Sequence, residues 1–120
     1  MPTALVKILQ HILHVVDESS IAYRKYIDAG KTYSHAKELM KCNTQMIALL
    51  NVHRKDFDME GQEHVDALMH HYSVWKSKWL ELDATKTFNE DDEFAFPNAV
   101  TFPKSAAAWL EEKLKSLRVV

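Results

Sequence analysis

Helix breakers are scarce in this chain, and their placement limits the possible folds more than any other feature. Gly30 and Gly61 are the only glycines among 120 residues, and beyond Pro2 the prolines are Pro97 and Pro103. Three long uninterrupted segments result, 3–29, 32–60 and 62–83. Segments this poor in Gly and Pro, and rich in Ala, Leu, Lys and Glu, favour helix over sheet. An apolar content of 47% with nearly balanced charge is that of a folded chain. The expectation is one domain spanning 1–120 with a core large enough to need no disulfide or structural metal.

The spacing of apolar residues agrees with helix. In the first segment Leu5, Leu9, Ile12, Val16, Tyr23 and Ile27 share one side of a wheel turning about 100° per residue, widened by Ile8 and Tyr26. Asp28-Ala29-Gly30 offers a left-handed terminator. The second segment starts near Thr32 or Ser34, and its stripe is Ala36, Leu39, Met40, Met46, Ile47, Leu50 and Phe57. The third, Val65, Leu68, Tyr72, Trp75, Trp79 and Leu82, steps by threes and fours, which suits near-antiparallel packing. Turns near Gly30 and Gly61 are expected to fold each helix back on the one before it. Lys104–Leu117, after Pro103, reads as a short final helix. The fold class is therefore all-α: an up-down bundle of three long helices and one short C-terminal helix, with an irregular arm at 84–102.

The arm is the irregular part. It contains the acidic run Asn89–Glu93 and holds Phe88, Phe94, Phe96 and Phe102, four of the five phenylalanines. Pro97-Asn98 suits a turn, so a small hairpin pairing 93–96 with 99–102 is expected. Structureless connections of this length are uncommon in small domains and are often functional. Two fates are open to these rings: closing one end of the core, or contacting a partner behind an acidic rim.

Charge and cysteine usage narrow the function classes. A formal net charge of −2 lacks the basic excess of a nucleic-acid-binding domain. Residues 31–57 carry five basic and two acidic side chains, and residues 58–83 two basic and six acidic. Opposite signs on neighbouring helices support their pairing and say nothing of function. No run is apolar for long enough to cross a bilayer. The first residues lack the pattern of a secretory leader, and Cys42 is the single cysteine, so a cytoplasmic setting is expected.

Motifs for chemistry are sparse. No Gly-rich phosphate loop exists, and no Glu-x-x-His or His-x-x-x-His spacing occurs among the seven histidines. A metal reading survives only across the bundle, where reversal near residue 59 would set His53 level with His64 and beside Glu60 and Asp56. His35 sits too near a helix start to serve as a phosphotransfer histidine, and Ser34-His35 neighbours point apart on a helix. Asn43 falls on the apolar face of the second helix, where an amide sets register or binds a ligand; on the register reading, Asn43→Leu gives a more stable but misassembling protein. A small-molecule pocket around Trp75, Trp79 and Met46 looks like ordinary core in sequence. The expected function is that of a small non-enzymatic protein–protein interaction or regulatory protein with no cofactor. Its partner would be another protein or a second copy, met through Phe88, Phe94, Phe96 and Phe102. The alternative is a metal-binding bundle using His53, His64 and Glu60.

Overall fold

The structure, a computed structural model, describes residues 3–97 and 100–118. It contains four α-helices: α1 (Thr3–Asp28), α2 (Tyr33–His53), α3 (Met59–Asp83) and α4 (Lys104–Arg118), with a 3-10 turn at Arg54–Asp56. The principal pairings run α1 to α2, α2 to α3, α3 to α4 and α4 back to α1. This is a closed four-helix ring, 52 × 23 × 20 Å. The up-down bundle with a short last helix is the architecture the spacing predicts.

Helix lengths do not match, and that mismatch organises the molecule. α1 has 26 residues and α3 has 25, but α4 has only 15. At 1.5 Å per residue α4 falls about 15 Å short of its neighbours. The core accordingly splits in two. Where all four helices run together, Leu9, Ile12, Val15, Met46, Leu50, Val65, Leu68 and Leu110 are fully enclosed. Beyond the start of α4 the arm takes its place, and Phe94 packs with Tyr26, Ala36, Leu39 and Trp79.

The arm is fastened by backbone hydrogen bonds to the start of α2. Glu90 and Asp92 carbonyls accept from the Ser34 and Tyr33 N–H groups at 3.0 and 2.8 Å, and Phe94 N–H donates to Lys31 C=O at 2.8 Å. The first N–H groups of a helix have no partner within it, so the arm satisfies two of them and places carboxylates at the positive end of α2. Lys37 Nζ lies 2.7 Å from the Glu90 carboxylate. The acidic run is thus a helix cap. Thr32, at the N-cap, turns its Oγ1 to His35 Nδ1 at 2.9 Å instead of to the helix.

Three expectations need correction. The strand-like pairing that the described residues show is a bridge between Glu93 and Thr32, with Phe94 bonded to Lys31, so Glu93 and Phe94 pair with the α1–α2 connection; Asn98 and Ala99, in the expected hairpin, lie outside the described residues. The second reversal occurs at Phe57-Asp58, because the Asp58 side chain accepts from Gly61 N–H at 2.8 Å and caps α3. Gly61 lies inside α3, where a Cβ would come within 2.9 Å of Phe57 and 3.0 Å of Trp109. Finally, the inward line of α1 is Leu9, Ile12, Val15, Ser19 and Tyr26, while Tyr23 and Ile27 are 48% and 39% exposed. Helix α4 does not extend far enough to cover them. The turn between α1 and α2 ends as expected, with Gly30 at φ +81° and Lys31 at φ +60°.

Candidate functional site

A lateral cleft of about 410 Å³ opens in the α1/α3 seam where α4 stops. Val16, Ser19, Ser20 and Tyr23 of α1, His71, Tyr72 and Trp75 of α3, and Thr101 and Phe102 of the arm line it, with Leu39 and Asn43 of α2 at the back. Its volume lies within the range of small-molecule sites. No Asp, Glu, Lys or Arg lines it among the described residues.

The floor is a buried polar layer between the two halves of the core. Ser19 and Asn43 are 6% and 4% exposed, and the Ser19 hydroxyl donates to Asn43 Oδ1 at 2.6 Å. Tyr72 reaches the layer from α3, and its phenol is pushed up to about 12 by burial, the nearby Ser19 hydroxyl pulling the other way. A serine hydroxyl has one proton, and Ser19 gives it to Asn43. Asn43 lines the cleft with its oxygen given to Ser19, which leaves the NH2 open to the cleft; no enclosed side-chain nitrogen or oxygen among the described residues lacks a partner.

His71 forms the edge of the cleft toward the arm. Its Nδ1 lies 3.1 Å from the Val100 carbonyl, and its ring meets Tyr72 and Phe102 edge-on at 4.9 and 5.4 Å. A carbonyl only accepts, so Nδ1 carries the proton and Nε2 keeps a lone pair. Burial holds the imidazole below its usual range, the Val100 bond opposes this, and His70 adds to it. The neutral ring leaves the lining uncharged at neutral pH.

The residues expected to serve a site are dispersed. Phe94 is fully buried, with ring centroids 4.9 Å from Trp79 and Phe88 and 5.2 Å from Tyr33, so a partner reaches it only if the arm opens. Phe88 stacks on Tyr33 at 5.2 Å and Phe96 packs on Trp75 at 5.7 Å, both half-buried. Phe102 alone of the four lines the cleft. The metal grouping is not assembled: His53 Nδ1 pairs with Asp56 Oδ2 at 3.1 Å, and His64 stacks on Trp109 at 5.0 Å. Glu60 is exposed in the first turn of α3. No three His, Cys, Asp or Glu side chains gather as a metal site among the described residues. Of the suggested pocket residues, Trp75 lines the cleft, Met46 is core, and Trp79 is buried with its Nε1 donating to Ala36 C=O at 3.1 Å.

A second hollow, about 450 Å³, lies on the outer α1/α2 face among Glu18, Lys25, His35, Glu38 and Cys42. Burial and the carboxylates of Glu18 and Glu38 push the Cys42 thiol up, which makes it a poor nucleophile. Charged side chains line this hollow, unlike the uncharged, aromatic-walled cleft. The sequence singles out Asn43, Tyr72 and Trp75 but not Ser19 or His71. Ser19 lies one turn beyond Val15 on the inward line of α1, and a serine there is the signal that was available.

No described helix is long and apolar enough to cross a membrane. Comparison with family models, curated proteins and solved structures finds no match to this chain, so function is read from its own geometry.

Proposed function

We propose that this chain is a small non-enzymatic binding protein with a regulatory role, and that the lateral cleft is its recognition site. One observation carries the reading: the space left by the short α4 is walled by aromatics and floored by the Ser19–Asn43–Tyr72 layer. An apolar hollow with a few convergent polar groups is the usual form of a ligand site. A catalytic role lacks support, because the Ser19 proton goes to an amide oxygen and not to a base. The single thiol and net charge of −2 suit a cytoplasmic protein that does not bind nucleic acid. Ligand-detected NMR with a fragment library tests the proposal against a rim-blocked variant, Ser20→Phe. Binders lost in the variant support it; an absence of binders, or binders the variant retains, refutes it.

A second reading keeps the protein partner or second copy at the arm and the adjoining face of α1. It is favoured by Tyr23 and Ile27, which stand 48% and 39% exposed beside the arm-covered half of the core. Light scattering at micromolar concentration on wild type and on Tyr23→Ser/Ile27→Ser decides the homodimer form: a monomer in both cases removes it.

A further inference from the structure

The cleft's lining restricts what it accepts, and the inference drawn here rests on its being a ligand site. Charged ligands meet no counter-charge, since none of the lining residues is Asp, Glu, Lys or Arg. Removing an ion from water without a compensating partner is strongly unfavourable, so a neutral occupant is selected. Trp75, Phe102, Tyr23 and the His71 ring supply flat walls that suit a planar ring system.

Hydrogen bonding at the floor is directional. Asn43 is 4% exposed and gives its carbonyl oxygen to Ser19, which leaves its NH2 as a donor lining the cleft. No enclosed side-chain nitrogen or oxygen among the described residues lacks a partner, so this NH2 is open to water in the cleft, and an occupant that displaces that water must supply an acceptor in its place. The Ser19–Asn43 bond polarises the amide in the direction that strengthens its NH2 as a donor. On the opposite edge, His71 Nε2 is an acceptor, because Nδ1 donates to Val100. The lining therefore combines a donor deep in the cleft with an acceptor toward the arm.

From this arrangement we infer that the cleft binds an uncharged planar ring compound bearing a carbonyl oxygen, such as a cyclic amide, with the carbonyl on the Asn43 NH2. Purely apolar rings leave Asn43 unpaired. Carboxylates of the same shape bring a charge to a neutral site.

Three probes of one shape test this: 2-quinolone, which carries the cyclic amide; naphthalene, which lacks any polar group; and 2-naphthoate, which is anionic. The readout is the 1H–15N resonance of the Asn43 side chain in the full chain at pH 7.5. A saturable shift with 2-quinolone in the high-micromolar range is expected, about what a ligand of this size achieves. The other two should bind about tenfold more weakly or worse. Ser20→Phe, at an exposed rim position, should abolish the shift while leaving the thermal midpoint unchanged. Asn43→Ser should weaken 2-quinolone about tenfold and naphthalene not at all. Equal affinity for 2-naphthoate, or 2-quinolone binding that survives Ser20→Phe, overturns the inference. If 2-naphthoate or naphthalene saturates in the cleft and 2-quinolone does not, the cleft remains a ligand site and the ligand class is refuted. If none of the three binds, the inferred class falls, and the fragment screen decides separately whether the cleft binds anything.

Discussion

Phe94→Ala tests whether the arm is part of the core. Phe94 is fully enclosed, and its ring lies within 4.9–6.1 Å, centroid to centroid, of Tyr33, Trp79, Phe88 and Phe96. Truncating a buried phenylalanine costs about 3–5 kcal/mol, because transfer free energy is lost and a cavity remains. For a chain this size, total stability is on the order of 10 kcal/mol. With a urea slope of about 2 kcal/mol/M, the midpoint should fall by about 2 M. A second substitution separates local loss from detachment. The Tyr26 hydroxyl donates to the backbone carbonyl of Phe94, a bond the alanine variant keeps if the arm stays in place. Tyr26→Phe alone should cost about 1 kcal/mol. If the arm detaches in Phe94→Ala, adding Tyr26→Phe costs nothing further, and the coupling in the double-mutant cycle equals the single effect. Urea melts of the four proteins, followed by tryptophan fluorescence, supply the comparison. A Phe94→Ala cost below about 1 kcal/mol would refute the reasoning, since an enclosed ring cannot be removed so cheaply.

Three further outcomes follow from the packing. Gly61→Ala should destabilise by about 1–3 kcal/mol in a thermal melt, because the new methyl meets Phe57 Cβ at 2.9 Å and overpacking outweighs the gain in helix propensity; equal or higher stability would show that this junction is loose. Asn43→Leu should lower stability by about 1–3 kcal/mol in a urea melt, contrary to the gain expected of a register device, since it removes the acceptor of the buried Ser19 hydroxyl; a raised midpoint refutes this. His71 binds a proton less readily folded than unfolded, so the unfolded state holds more protons just below pH 6.5. Stability from this residue is complete above about pH 6.5 and declines as pH falls toward the lower folded value. Urea midpoints at several pH values between 7.5 and 5 should show a slope that His71→Gln reduces, and an unchanged slope refutes the assignment.

Much of the bundle was legible residue by residue. The seam Val65, Leu68, Tyr72 and Trp79 is buried as its spacing predicts, and Leu9, Ile12, Leu39, Met46 and Leu50 likewise. Helix periodicity records which side of a helix is apolar, so it succeeds wherever a neighbour runs alongside. It fails at Tyr23 and Ile27, which belong to the apolar side but lie beyond the end of α4. The four arm phenylalanines had two open fates, and Phe94 took the enclosed one because the backbone of 90–94 is held by α2 and Lys31. His53 and His64 occupy their expected helical regions, yet Asp56 and Trp109 engage them separately. Position along a helix does not determine where a ring finally turns.

What the sequence determined alone was the set of rods and most of their buried sides, through the rarity of Gly and Pro and the three-and-four spacing of apolar residues. Only the tertiary structure decided how the shortfall of α4 is filled. The arm covers part of the exposed seam and leaves a cleft beside it, because its backbone is tied to the start of α2 and cannot also run along α1. The polar floor is also tertiary in origin. Ser19, Asn43 and Tyr72 lie on three different helices and meet in one layer only when those helices pack side by side, which the Ser19–Asn43 hydrogen bond also requires of α1 and α2.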